Sequence, residues 1–130
     1  MIDLAFHYDK SPVLLKDIAQ RQKISKKYLE QLTIPLKACG LIKTVRGIKG
    51  GYVLDRPPAE IRMLEVLEAL EGPLNLVRCV ADANICPLSS TCVTRDIWTK
   101  LAQALSQSLS SMTLDKLIAE KISKEGSKND

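Results

Sequence analysis

Three of the chain's four cysteines fall in one short window, as Cys79, Cys86 and Cys92, with six residues in the first gap and five in the second. Thiolate is a soft ligand that suits iron–sulfur clusters and zinc. The spacing is not the paired CxxC of a zinc ribbon. Three thiolates on a flexible segment can nevertheless converge on the iron of a cluster, with a structural zinc site as the minority alternative. Thiol oxidation without any metal is a third chemistry for the same residues. Cysteines in a compartment that keeps thiols reduced are more often metal-binding, redox-active or buried than disulfide-bonded. Three sulfurs supply three ligands, and the spacing does not name a fourth. Cys39, next to Gly40 at the end of a helical pattern, reads as a packed thiol, and His7, the one histidine, as a helix-end surface residue.

A second constellation lies in the first half. Residues 10–54 hold ten Lys or Arg and only Asp17 and Glu30 as acids, whereas residues 61–130 hold eight bases and nine acids. A basic block on a folded pattern is the footprint of a polyanionic partner, although a solvated face can carry the same charge.

The elements that position these groups follow from periodicity and punctuation. Residues 1–7 read as a helix with Ile2, Ala5 and Phe6 on one face, beginning without a cap. Ser11-Pro12 breaks it, and residues 15–22 form a short helix with Leu15, Ile18 and Ala19 inward. After a turn at Lys23-Ile24, Ser25 is an N-cap for a helix over 26–39, with Leu29, Leu32 and Leu36 inward, Pro35 inside it and Gly40 as its stop. Residues 41–46 and 52–54 read as strands around a glycine-rich turn at 47–51. Two short helices, a tight turn and a β-hairpin define a helix-turn-helix with a wing.

Pro57-Pro58 closes this unit and divides residues 1–58, a winged helix-turn-helix for binding DNA, from residues 59–122. The second part contains a helix over 63–71 with Leu64, Leu67 and Leu70 inward, an extended stretch at 74–78 and a loop at 79–92. The longest helix follows at 94–110, with Ile97, Leu101, Leu105 and Leu109 as an apolar stripe flanked by Trp98 and Ala104. Thr113 caps a short helix over 114–122, and the polar residues 123–130 are expected to be a disordered tail. The fold class is thus mainly α with a small β-hairpin wing, an α+β winged helix-turn-helix, plus a long C-terminal dimerisation helix.

In such a fold the second helix of the pair enters the major groove N-terminal end first. Ser25, Lys26, Lys27 and Tyr28 suit phosphate contacts, and Gln31 could make a bidentate contact to adenine. Arg46 and Lys49 sit where a wing tip would meet the minor groove, with Gly50 allowing close approach and Tyr52 beginning the return strand. Composition narrows the rest. The chain has 130 residues, 45% hydrophobic and 26% charged, with a net charge of +4. It has no apolar run long enough to span a membrane and no signal-peptide pattern, so a cytoplasmic protein without a membrane partner is expected. It shows no phosphate loop, no nucleophile–base set and no paired-carboxylate site, which argues against an enzyme. An iron–sulfur carrier would use the cysteines but would have no need of the basic winged half.

The chain resembles the bacterial winged-helix iron–sulfur transcriptional regulators typified by IscR, NsrR and CymR. The resemblance runs through Ile18-Ala19, then Ser25 and Tyr28-Leu29-Glu30-Gln31-Leu32, Pro35-Leu36 and Gly40-Leu41-Ile42. It continues through Val45-Arg46-Gly47, Lys49-Gly50-Gly51-Tyr52 and Ala69-Leu70-Glu71-Gly72-Pro73, and through the cysteine segment to Met112-Thr113-Leu114. It implies a homodimer packed through the long helix and a palindromic double-stranded DNA operator. It also implies a repressor sensing redox state, nitric oxide or iron–sulfur status. Family members usually carry a short basic stretch before the equivalent of Met1-Ile2-Asp3-Leu4-Ala5, so the first helix is expected to be truncated. Cluster-sensing members carry three cysteines in this segment, and IscR-like ones add a histidine three residues after the last. Here that residue is Arg95, which has no acceptor to offer a metal. The resemblance therefore favours a 4Fe–4S over a 2Fe–2S cluster on Cys79, Cys86 and Cys92, with the fourth ligand unknown.

Overall fold

Ser25 begins the central helix of the first half as its side chain dictates: its hydroxyl accepts from the Tyr28 amide at 3.0 Å, which satisfies one of the free donors of the first turn. In the computed structural model, which describes residues 1–128, this helix is α3, Lys26–Ala38. It is preceded by α1, Ile2–Phe6, and α2, Leu15–Gln22. Lys23 takes a left-handed conformation with φ 54° between α2 and α3, which makes the turn tight. Gly40, at φ +70°, ends α3, a conformation glycine adopts without a Cβ penalty.

The hairpin follows as β1, Ile42–Val45, and β2, Gly51–Leu54, antiparallel with Ile42 opposite Leu54 and Val45 opposite Gly51. Then come α4, Met63–Glu71, the single-turn α5, Arg78–Ala81, the 19-residue α6, Val93–Ser111, and α7, Leu114–Ser127. Short 3-10 turns occupy Pro58–Glu60 and Ala83–Ile85. Among the described residues, no helix is long and apolar enough to cross a membrane.

The core joins both ends of the chain. Leu41, Ile61 and Leu114 are almost fully buried, packed with Leu4, Val13, Leu36, Ile42, Leu54 and Val66. The start of α7 is fixed beside that of α4, because the Met63 amide donates to the Met112 carbonyl at 2.8 Å and the Leu114 amide to that of Ile61 at 3.1 Å. Helix α7 then packs on α1. Helix α6 meets α4 and α5, and of its residues only Ala102 is buried.

Several expectations are revised. In α1 the buried residues are Asp3, Leu4 and Ala5, and Ile2 and Phe6 are exposed. The inward turn of α1 is set by an ion pair: Asp3 accepts from Arg21 at 2.7 and 3.0 Å and from Gln22 at 3.1 Å. In α4 it is Val66 that is buried, while Leu64, Leu67 and Leu70 are half-buried. Residues 123–127, expected to be disordered, continue α7, with Lys121 near Glu125 at 3.8 Å and the Ser127 hydroxyl donating to the Ser123 carbonyl at 3.0 Å. The last two residues of the expected tail, 129–130, lie outside the described residues. Residues 79–92 are a folded lobe of short helical turns rather than an open loop.

Candidate functional site

The basic half presents two elements. On α3, Ser25, Lys26, Lys27, Tyr28 and Gln31 are all exposed. Ser25 is committed to its capping bond, and Lys26 lies 3.9 Å from Glu30, an exposed pair of little energetic weight. Lys27 and Gln31, one turn apart, share the face turned away from Leu29, Leu32 and Leu36.

The wing is the second element. Its tip turns at Ile48-Lys49, closed by the Gly50 amide donating to the Gly47 carbonyl at 3.0 Å. Arg46 and Lys49 are exposed and Gly50 is partly covered. A Cβ at Gly50 would run into the Val45 carbonyl oxygen, and one at Gly51 would lie 2.6 Å from the Val13 oxygen. The turn therefore requires glycine at both positions. Two backbone hydrogen bonds anchor the wing to the segment before α2: Val13 donates to the Tyr52 carbonyl at 3.0 Å and Tyr52 to that of Val13 at 2.8 Å. Tyr52 itself is half-buried against the core, so its ring braces the hairpin. It also lines one groove with Lys26 and Glu30, which sets the wing base beside the start of α3.

The cysteine lobe is built where α6 begins. Cys79 is in α5, Cys86 follows the second 3-10 turn, and Cys92 is the N-cap of α6, its sulfur accepting from the Arg95 amide at 3.4 Å. All three thiols are half-buried and free of disulfides. Cys39, expected to be packed, is exposed; it caps α3 while its neighbours Leu36 and Leu41 take the buried positions. His7 is half-buried, with its Nδ1 2.8 Å from the Asp3 carbonyl oxygen.

Two residues that sequence reasoning did not assign to the lobe help to build it. The Arg95 Nε donates to the Cys79 carbonyl at 2.9 Å, so one residue touches the first and last cysteines. Ser89, between Cys86 and Cys92, is 9% exposed, and its hydroxyl has no partner among the described residues. A buried unpaired hydroxyl costs about 1–3 kcal/mol. Ser89 lines one concavity with Cys86, Ser90 and Arg95. Spacing could not have revealed either role, because both depend on how the lobe closes. The donor set, three thiols and an orphaned hydroxyl, fits an iron–sulfur centre in its chemistry. As folded, the described residues include no group of three His, Cys, Asp or Glu side chains close enough to hold a metal.

The third predicted set lies on α6. Ile97, Leu101 and Leu105 are 53%, 47% and 37% exposed, with Val93 in the same row at 72%. Leu109, nearer the α4 end, is half-buried, as is Trp98, while Ala104 is exposed.

Helix, tight turn, helix and a glycine-built basic wing on one core define a winged helix-turn-helix DNA-binding protein. The chain belongs to the Rrf2 family, whose model, described as an iron-dependent transcriptional regulator, matches residues 1–120. Among its relatives, the rrf2 protein of Nitratidesulfovibrio vulgaris is 39% identical over 120 residues, covering 92% of this chain and 80% of that protein. The solved structure of CymR, the global cysteine regulator of Bacillus subtilis, superposes with a TM-score of 0.76 at 36% identity, over 92% of this chain and 87% of that one. That of T. potens IscR does so with a TM-score of 0.76 at 37% identity, over 92% and 78%. These relatives and neighbours are transcriptional regulators, not enzymes.

Proposed function

We propose that this Rrf2-family regulator is a homodimer that binds a palindromic operator and adjusts its DNA affinity through an iron–sulfur cluster on Cys79, Cys86 and Cys92. The observation that carries the reading is the placement of three free, half-buried thiols in one lobe at the root of α6. Such a cluster would supply reversible redox chemistry and a centre sensitive to oxygen, nitric oxide and iron supply. The chain's own residues would do the coupling. Cys92 is the first fixed point of α6, and Arg95 ties that helix to Cys79. Gathering the three sulfurs would therefore reposition the start of α6.

The exposed row Val93, Ile97, Leu101 and Leu105 is the surface proposed to pack on a second copy. Apolar rows of this length are uncommon on a monomer's surface. A shift of α6 would then change the separation of the two α3 helices, which must match half-sites about one DNA turn apart. DNA would be held by Lys26, Lys27, Tyr28 and Gln31 in the major groove and by Arg46 and Lys49 on the wing. The backbone around Ser25, Gly50 and Tyr52 would support these contacts. Residues 1–58 supply the reading surface and residues 59–122 the sensing and pairing surfaces. Repression follows where the operator overlaps a promoter, in the bacterial cytoplasm.

One observation favours a second reading. The three sulfurs are not gathered as a metal set, so oxidation of thiols in the lobe without metal would serve the same lever on α6. Purification without oxygen, with iron and sulfide measured, separates the two: bound iron and sulfide support the cluster, and metal-free protein with a reversible change in DNA affinity on oxidation supports the thiol switch.

A further inference from the structure

The outward face of α3 holds one residue that no part of the reading above uses. Ile34 is 70% exposed, although it lies on a helix whose Leu36 is buried at 7%. Its position follows from the helical repeat. Leu29, Leu32 and Leu36 face the core, and the side opposite them carries Lys27, Gln31 and Ile34, at spacings of four and three. Ile34 is therefore in line with Lys27 and Gln31, two of the side chains assigned to the major groove. A bulky apolar side chain facing water on a basic reading face gains nothing in the free protein. In the groove one base feature is apolar, the thymine C5-methyl group.

We propose that Ile34 is a further specificity-determining residue that reads thymine methyl groups next to the base contacted by Gln31. This rests on the DNA-reading assignment of α3. Three residues of helix rise roughly 4.5 Å, close to the roughly 3.4 Å between successive bases on one strand. Gln31 and Ile34 can thus address adjacent steps when α3 lies along the groove. The Lys27 charge on this face, with Lys26 on the flank towards the wing base, commits it to DNA rather than to a second copy of the chain, whose own apolar row lies on α6. Desolvating one methyl group against Ile34 is worth roughly a fourfold change in affinity.

The test exchanges one methyl group at a time. An operator is selected from a randomised duplex pool with the full chain, and each of its thymines is replaced singly by uracil, which removes only the C5-methyl. The parent should lose affinity roughly fourfold at one or two thymines. Ile34→Ala should bind the thymine operator as weakly as the parent binds the uracil form, and should show no further loss with uracil. Because Ile34 is exposed, this variant keeps its fold, checked by circular dichroism. An unchanged uracil penalty in Ile34→Ala, or a parent indifferent to every thymine-to-uracil exchange, overturns the proposal. So does weakened self-association of Ile34→Ala in sedimentation, which would give this face to a second copy. A parent that enriches no sequence overturns the base-reading role of Gln31 as well, and is thereby distinguished from a failure confined to Ile34.

Discussion

Arg95 reaches back sixteen residues to donate from its Nε to the Cys79 carbonyl at 2.9 Å, while its own amide donates to the Cys92 sulfur. The residue thus closes the ring of the cysteine lobe without being able to bind a metal. Arg95→Leu keeps the aliphatic stem and the amide but removes the side-chain bond. Global stability should fall by only about 1 kcal/mol, the net worth of one hydrogen bond. Alkylation of Cys79 should accelerate severalfold, as followed by mass spectrometry of the labelled peptide. Equal labelling rates in parent and variant would show that the clasp does not order the lobe.

Asp3 is 6% exposed and faces Arg21, which is 42% exposed. The hydrogen bond from the Arg21 guanidinium holds the Asp3 carboxyl below its ordinary range, against the opposing effect of burial. A depressed folded value means that the pair stabilises the protein above about pH 4, where the unfolded carboxyl is ionised. That contribution is lost as the pH falls through the folded value. Asp3→Asn should cost about 1–2 kcal/mol at pH 7, a range reduced because Arg21 is open to water. The gap between parent and variant melting temperatures should close below pH 4. A constant gap from pH 7 to pH 3 would assign the loss to packing.

These two contacts also show what the sequence could convey. The Ser25 cap, the Gly40 stop and the wing glycines were legible because a cap, a C′ position and a hairpin tip each demand a local residue type. The bounds of α2 and α4 followed from the spacing of apolar residues between breaks. Asp3 was not legible as a buried residue, since its partner Arg21 is eighteen positions away and periodicity carries no non-local pairing. The same holds for Cys39, whose exposure depends on which neighbours fill the core, and for the short turns over 78–85, which have no apolar period to betray them. Residues 123–127 look like a tail by composition, yet they extend a helix already fixed at Leu114.

The basic surface separates by role under substitution. Arg46→Ala should weaken operator binding by about 1–3 kcal/mol if Arg46 reads a base or a narrow groove. Lys26→Ala and Lys27→Ala should weaken binding to all duplexes alike and reduce the slope of log affinity against log salt by about one unit each. Fluorescence anisotropy over a salt series measures both effects. Parent-like binding in all three variants would contradict the placement of DNA on α3 and the wing.

On α6, Leu105→Glu places a charge in the proposed seam between copies. Leaving it unpaired there should cost about 3–5 kcal/mol and yield monomers in sedimentation at concentrations where the parent is dimeric. Because Leu105 is 37% exposed within one chain, the monomer should remain folded. A fully dimeric variant would move the interface elsewhere.

If Cys79, Cys86 and Cys92 hold an iron–sulfur cluster, iron, sulfide and zinc counts on anaerobically purified parent and on four single variants will show it. The parent should be coloured, with iron and sulfide in matching amounts. Cys79→Ala, Cys86→Ala and Cys92→Ala should be colourless, because the remaining sulfurs leave iron labile, and Cys39→Ala should stay coloured. A parent with stoichiometric zinc and no sulfide, or one that takes up no metal on anaerobic reconstitution, would contradict the cluster assignment.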